Sequence, residues 1–170
     1  MKNEELELKI LKGSEEDIAG VQRVLEEAPT YCINVSGKPA SPEDGREVFS
    51  SIAPGKEYKD KFVFGIYLEN NLIGCIDLCR GYPDETTITL GLLLLSEKYQ
   101  RKGFGTQAHK KLEAIIKEWG NSEKIRIGVL ITNQEILPFW NKMGYTEKVR
   151  SPYKHGDIET ELITLEKPVD

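Results

Sequence analysis

The sequence predicts a single α/β domain, residues 1–170, in which a mixed, mostly antiparallel sheet of six to seven strands carries helices on both faces. Three observations predict it. Leu6, Leu8 and Ile10 alternate with charged residues, as in a half-buried strand, and 61–68 and 72–79 are β-rich runs. Helical spacing appears at Ile18, Val21, Val24 and Leu25, and at Ala108, Leu112, Ile115, Ile116 and Trp119. In the run 72–79, apolar residues occupy both alternating faces, which asks for a sheet covered on both sides. A chain of 170 residues can bury a full core as one domain, and no linker, repeat or low-complexity tract divides it.

The elements follow in order. After the first strand, Ser14 caps a helix with an acidic first turn, and the helix stops near Ala28 because Pro29 disfavours helical backbone in the residue before it. Residues 29–40 read as a loop carrying Tyr31 and Cys32. Ser41, with Pro42 at the first helical position, opens a short helix through Val48, Phe49 and Ile52, closed by Pro54 and Gly55. The strands 61–68 and 72–79 form a hairpin over Glu69, Asn70 and Asn71. Simple alternation puts Leu72, Gly74, Ile76 and Leu78 on one face of its second strand and Ile73, Cys75, Asp77 and Cys79 on the other. A turn leads into a third strand, 86–95, which ends in Leu92, Leu93, Leu94 and Leu95. A polar loop and the helix to Trp119 come next. A strand over 124–131, a helix over 134–143 capped by Asn133, and two closing strands, 147–150 and 160–165, complete the domain. Residues 151–157, with Tyr153 and His155, read as a mobile loop.

Composition excludes several classes. Apolar content of 39% and charged content of 30% are those of a soluble globular protein, and no apolar run approaches the ~20 residues that span a bilayer. The N-terminus lacks the apolar core of a secretory signal, so a cytoplasmic location is expected. Three cysteines, an odd number, argue against a disulfide framework. Two histidines far apart, His109 and His155, give no metal-ligand spacing, and no metal is expected. A net charge of −5 argues against a nucleic-acid binder and leans toward a cationic substrate. The sequence leaves a homodimer open.

The chemistry-bearing stretch joins the leucine run to the long helix. Gln100, Arg101, Lys102, Gly103, Phe104, Gly105 and Thr106 stand at the start of that helix. Backbone N–H groups converge there at the positive end of the helix dipole, and the glycines put no Cβ in the way, which makes a site for phosphate. Residues 103–108 also satisfy the dinucleotide fingerprint G-x-G-x-x-G/A. That reading fails on spacing. Seven residues, 96–102, separate the strand from the first glycine, and the next apolar run ends in Thr132 and Asn133 rather than in an acid.

Gln100-Arg101-Lys102-Gly103-Phe104-Gly105 resembles the Q/R-x-x-G-x-G/A signature of the GNAT N-acetyltransferase superfamily. The stretch from Asn133 through Phe139, Trp140 and Gly144 to Tyr145 is similar to the family's N-x-x-A-x-x-F-Y-x-x-x-G-F segment, at the expected distance downstream. Together the two motifs cover the second half of the chain. The resemblance implies a GNAT-like sheet, acetyl-CoA as co-substrate, and acetyl transfer to a primary amine of a small molecule or peptide by direct attack. It implies that the loop from Gln100 to Thr106 wraps the pyrophosphate. It also implies that Leu93, Leu94 and Leu95 receive the pantetheine arm as though it were another strand, and that Asn133 contacts that arm.

The match departs from the family at Trp140, where many members carry a tyrosine that donates a proton to the departing thiolate. An indole has no proton to give at a useful pKa. Tyr82, Tyr145 or water are the substitutes. The general base is open among Asp77, Asp84 and Glu85, with Asp77 preferred because it lies inside the sheet, where desolvation raises a carboxyl pKa. The rival reading is a module that keeps the acetyl-CoA cradle without catalysis.

Overall fold

In the computed structural model, which describes residues 5–155 and 158–170, three helices follow the first strand before the sheet resumes. Strand β1 (Leu6–Leu11) leads to α1 (Glu15–Glu26), α2 (Pro29–Ser36) and α3 (Asp44–Ser50). The hairpin β2 (Lys61–Leu68) and β3 (Asn71–Arg80) continues into β4 (Thr87–Leu95), and all neighbours in this meander are antiparallel. Helix α4 (Phe104–Trp119) then crosses over to β5 (Lys124–Leu130), which pairs with β4 in parallel, as a helical crossover allows. Helix α5 (Leu137–Lys142) and the hairpin β6 (Thr146–His155) and β7 (Ile158–Pro168) close the domain. The sheet order is β1-β2-β3-β4-β5-β7-β6.

Both faces of the sheet are covered across β1 to β4. Ala108, Leu112 and Ile116 of α4 pack on Ile76, Leu78, Ile88, Leu90, Ile125 and Ile127. Val21, Val24 and Leu25 of α1 pack on Leu11, Val63, Cys75 and Leu94 from the other side. Each helix buries the stripe that its apolar spacing marks. No helix among the described residues is long and apolar enough to cross a membrane.

Two β-bulges change which residues share a face. The β2–β3 register jumps from Ile66↔Gly74 to Tyr67↔Leu72, leaving Ile73 as the extra residue. Ile73 therefore joins the α4-side core and Leu72 the α1-side core, the reverse of simple alternation. The β3–β4 register jumps from Asp77↔Leu92 to Leu78↔Leu90, so Gly91 is extra in β4.

The helices and the last strands also differ from expectation. Residues 29–36 form α2, because a proline that stops one helix also suits the first turn of the next, where its missing N–H costs nothing. Gly37, at φ 75°, ends α2. The third helix begins at Asp44 rather than Pro42. A turn precedes it, in which the Ser41 N–H donates to Asp44 Oδ2 at 2.7 Å and the Asp44 N–H to the Ser41 carbonyl at 3.1 Å. The stretch 134–143 divides into a 3₁₀ segment, Ile131–Ile136, and α5. Asn133 is not an N-cap but sits inside that 3₁₀ segment. The mobile loop expected at 151–157 is strand through His155, with Tyr153 paired to Thr160; Gly156 and Asp157 lie outside the described residues. Pro152 is tolerated because β6 is an edge strand.

Gly74 marks the closest backbone approach in the sheet. A Cβ there would overlap the Leu94 carbonyl oxygen and lie 2.7 Å from Leu95 Cδ2. Gly74→Ala is expected to destabilise the fold by about 1–3 kcal/mol as an overpacked site. A urea midpoint equal to wild type would contradict this packing.

Candidate active site

The pairing of β4 with β5 covers Thr87↔Lys124 through Leu90↔Ile127 and stops there. Beyond Leu90, the Gly91 bulge bends β4 while β5 stays paired to β7 as far as Leu130↔Leu162, so the two strands part as a wedge. The Ser96 N–H donates to the Ile73 carbonyl at 2.9 Å, and backbone groups alternate sides along a strand. Leu94 therefore turns its backbone toward β3 and its side chain into the α1-side core, while Leu93 and Leu95 turn their backbone groups toward the wedge. The Leu95 carbonyl accepts from Gln100 Nε2 at 2.8 Å, which ties the next loop to the strand end.

That loop is anchored by buried Ser96, whose hydroxyl donates to Glu27 Oε1 at 2.8 Å; the Glu97 N–H donates to the Glu27 carbonyl at 2.8 Å. Arg101 at φ 62° and Gly103 at φ 87° swing the chain round into α4, which begins at Phe104 without a side-chain cap. Among the described residues, no protein group accepts the N–H groups of residues 101–106. Gly103 is exposed, with nothing within 4 Å of where a Cβ would stand, and a Cβ on Gly105 would touch the Phe139 ring at 3.4 Å. Unpartnered amides at the positive end of a 16-residue helix, with Arg101 and Lys102 exposed beside them, fit a diphosphate. Asn133 Oδ1 accepts from Asn34 Nδ2 at 3.1 Å, which bridges α2 to the 3₁₀ segment after β5.

On the α1–α3 side of the sheet, a cavity of about 270 Å³ lies between residues 51–53, Lys61, Asp77, Cys79, Thr89 and Gly91. Asp77 Oδ1 is 2.7 Å from Lys61 Nζ, and the two side chains are 19% and 8% exposed. Burial pushes the Asp77 carboxyl above its ordinary 3.8, and Lys61 opposes part of that rise. A Cβ on Gly91 would stand 3.6 Å from Asp77 Oδ2, so the second carboxylate oxygen faces the bulge. The other carboxylate candidates differ. Asp84 accepts from the Thr87 and Thr86 hydroxyls at 2.8 and 3.1 Å, and these bonds hold its carboxyl below the usual value. Glu85 is exposed in the turn.

Trp140 lies in the core, 7% exposed, edge-on to His109, Phe139 and Tyr145. Tyr145 is no available proton donor. It is buried, its phenol pushed above the ordinary 10, and its hydroxyl lies 2.8 Å from His109 Nε2. His109 is itself fully buried on α4, with Glu113 Oε1 2.9 Å from Nδ1 and Lys167 Nζ 2.8 Å from Glu113 Oε2. In the sequence His109 stands out only as a possible metal ligand; its i,i+4 spacing to Glu113 is the signal for this network. Among the described residues, no three metal-ligating side chains cluster. Tyr31, on α2, is a second residue missed, since its segment reads as loop; burial against the Cys75 side of the sheet pushes its phenol up.

The chain matches the family described as the Acetyltransferase (GNAT) family over residues 23–145. No curated protein matches it. Among solved structures, it is similar to an acetyltransferase from Thermus thermophilus, with 22% identity over 96% of this chain and 97% of that one and a TM-score of 0.76. It is similar to a Salmonella typhimurium acetyl transferase that modifies the N-terminal serine of ribosomal protein L7/L12, with 15% identity, coverage of 99% and 97%, and a TM-score of 0.78. It is also similar to the Vibrio cholerae spermidine N-acetyltransferase solved with CoA and spermine, with 14% identity, coverage of 98% and 97%, and a TM-score of 0.75. At these identities the structural likeness shows the fold.

The buried histidine makes stability depend on pH. Burial lowers the His109 pKa below 6.5, with Lys167 acting in the same direction and Glu113 in the opposite one. Between the lowered value and 6.5 the unfolded chain binds the proton more tightly, so this contribution to stability falls as pH drops through that window. His109→Gln is expected to flatten the decline of the thermal midpoint from about pH 7 to pH 5. Parallel curves for wild type and variant would contradict it.

Proposed function

The chain belongs to the acetyltransferase (GNAT) family, and on that premise we propose that it acts as one domain that moves an acetyl group from acetyl-CoA to a primary amine of a small molecule or peptide by direct attack. One observation carries the reading: the unpartnered amides at the start of α4 and the wedge between β4 and β5 adjoin each other at Leu95 and Gln100. A diphosphate and a tail linked to it need those two features side by side.

In this reading the amides of Arg101, Lys102, Gly103, Phe104, Gly105 and Thr106 hold the pyrophosphate, with the Arg101 and Lys102 side chains near its charge. Leu93 and Leu95 bond the pantetheine arm through their backbones, Leu94 packs behind them, and Asn133 meets the arm from β5's end. Acetyl-CoA supplies the activated carbonyl that the acceptor amine attacks. Asp77 takes the proton from the acceptor's ammonium group, directly or through a water. Lys61, a fixed cation beside the same cavity, disfavours a second cation there and so helps the amine arrive neutral. Trp140 walls the core and donates nothing. Water protonates the thiolate, whose low basicity makes assistance less necessary. The thiols of Cys32, Cys75 and Cys79, all unpaired, suit a reducing cytoplasm.

Trp140 at the family's tyrosine position favours a second reading, a module that binds acetyl-CoA without catalysis. Thiol release from acetyl-CoA across a broad amine panel separates the two, since binding without turnover selects the module.

Asp77→Asn is expected to lower kcat by about tenfold or more and to remove the acidic limb of the rate profile. In the wild type that limb should lie above 3.8, the ordinary carboxyl value. Unchanged kinetics in the variant would take Asp77 out of the mechanism. Gly103→Val places a β-branched residue at φ 87° and should raise the KM for acetyl-CoA by about tenfold or more while leaving the fold intact. An unaltered KM would mean that these amides do not meet the cofactor.

A further inference from the structure

The same sheet face that holds the Asp77 cavity continues past it into a second one. Ile125, Ile127 and Val129 of β5 pack into the α4-side core, so Lys124 and Arg126 point to the opposite face. There a cavity of about 270 Å³ is lined by Thr87, Lys124, Arg126, Lys148, Thr164 and Glu166. The face is open to solvent at this level, with the neighbouring Val149 53% exposed. Lys148 reaches it through a bulge: the β6–β7 register jumps from Glu147↔Leu165 to Val149↔Thr164, leaving Lys148 as the extra residue.

The charges here are not balanced. Lys124 Nζ is 2.9 Å from Glu166 Oε2, and Asp84 also acts on it, so Lys124 is compensated. Among the described residues, neither Arg126 nor Lys148 has a carboxylate within 4.0 Å. Glu166, the cross-strand partner of Arg126, is engaged by Lys124, which leaves two cations without an ion-pair partner beside a cavity in a chain of net charge −5; they run against the overall balance and against the cationic substrate that the overall charge suggests.

Lining residues of the two cavities meet across the β4–β5 pairing. Thr89 lines the Asp77 cavity, and Arg126 is its register partner on β5. Two interstrand steps and two residues of rise put the Arg126 backbone about 12 Å from that of Asp77, a span that an acceptor with its amine and acidic group several bonds apart can bridge. Resting on the acetyl-transfer reading, we propose that the acceptor amine carries an acidic group, a carboxylate or a phosphate, which Arg126 and Lys148 bind while the amine faces Asp77. An arginine fork matches either oxyanion in two-point fashion, and Lys148 adds a point charge.

The test compares acceptors of matched length: an alkylamine, a diamine, an ω-amino acid and an aminoalkyl phosphate, each with saturating acetyl-CoA. The acid-bearing members should exceed the alkylamine in kcat/KM by about tenfold or more, as charge-assisted hydrogen bonds allow, and the diamine should be poorest. The ratio between the ω-amino acid and the aminoalkyl phosphate tells carboxylate from phosphate. In the double variant Arg126→Gln, Lys148→Gln, the ratio of acid-bearing to plain amine should fall to near unity, and Arg126→Lys should restore part of it. Acid-bearing acceptors that are no better than the alkylamine, or an advantage that survives the double substitution, would overturn the acid-binding role while leaving acetyl transfer standing. Absence of transfer to every amine would instead count against the acetyl-transfer reading, and a second measurement then decides the site. Inorganic phosphate, added over saturating CoA, should raise the thermal midpoint of the wild type and not of the double variant; equal shifts in both, or none in either, would overturn it.

Discussion

The interaction on which the rest of the structure depends is the short parallel pairing of β4 with β5, and above all its interruption after Leu90↔Ile127. A parallel pair that ran the full length of both strands would close the sheet and leave the end of β4 with no backbone groups to offer. The extra residue Gly91 prevents this. It bends β4 away at the level of Asp77, while β7 keeps β5 straight from the far side. The wedge, the turn of the Leu93 and Leu95 backbone toward it, and the Asp77 cavity at the bulge all follow from one unpaired residue.

The same bulge joins the two faces of the sheet. The α4 side holds the loop with unpartnered amides, and the α1–α3 side holds the cavity around Asp77 and Lys61. A buried ion pair of this kind contributes little net stability, since desolvating two charges offsets their attraction. It sits instead where β2 and β3 meet the Gly91 bulge, beside the cavity. Core packing is supplied elsewhere, on both faces, by α1 and α4.

Much of this was legible in the sequence, where signals were local. The period of two in β1, the β-rich composition of β2 and β3, the period of 3.6 in α1 and α4, and the glycines ahead of α4 each depend on neighbouring residues alone. What was not legible depends on partners distant in the chain. Pro29 carries one signal for the end of α1 and another for the start of α2, and only packing decides that both operate. Ile73 and Leu72 exchange faces because β2 forces a bulge opposite them, and Gly91 looks like any strand glycine until β3 sets the register. His109 reads as a solitary histidine, because Tyr145 and Lys167 reach it from the other end of the chain. Arg126 and Lys148 lie on different strands and come together only through β7.

If the amides before α4 and the parted edge of β4 form one continuous cradle, CoA must meet both at once. Amide chemical shifts of the isotope-labelled protein, followed during titration with CoA, test it most directly. The N–H signals of residues 101–106, with those of Leu93 and Leu95, are expected to move together and saturate at one affinity, while the β3-facing N–H of Leu94 moves less. Saturable shifts confined to some other surface, with these signals unmoved, would contradict it.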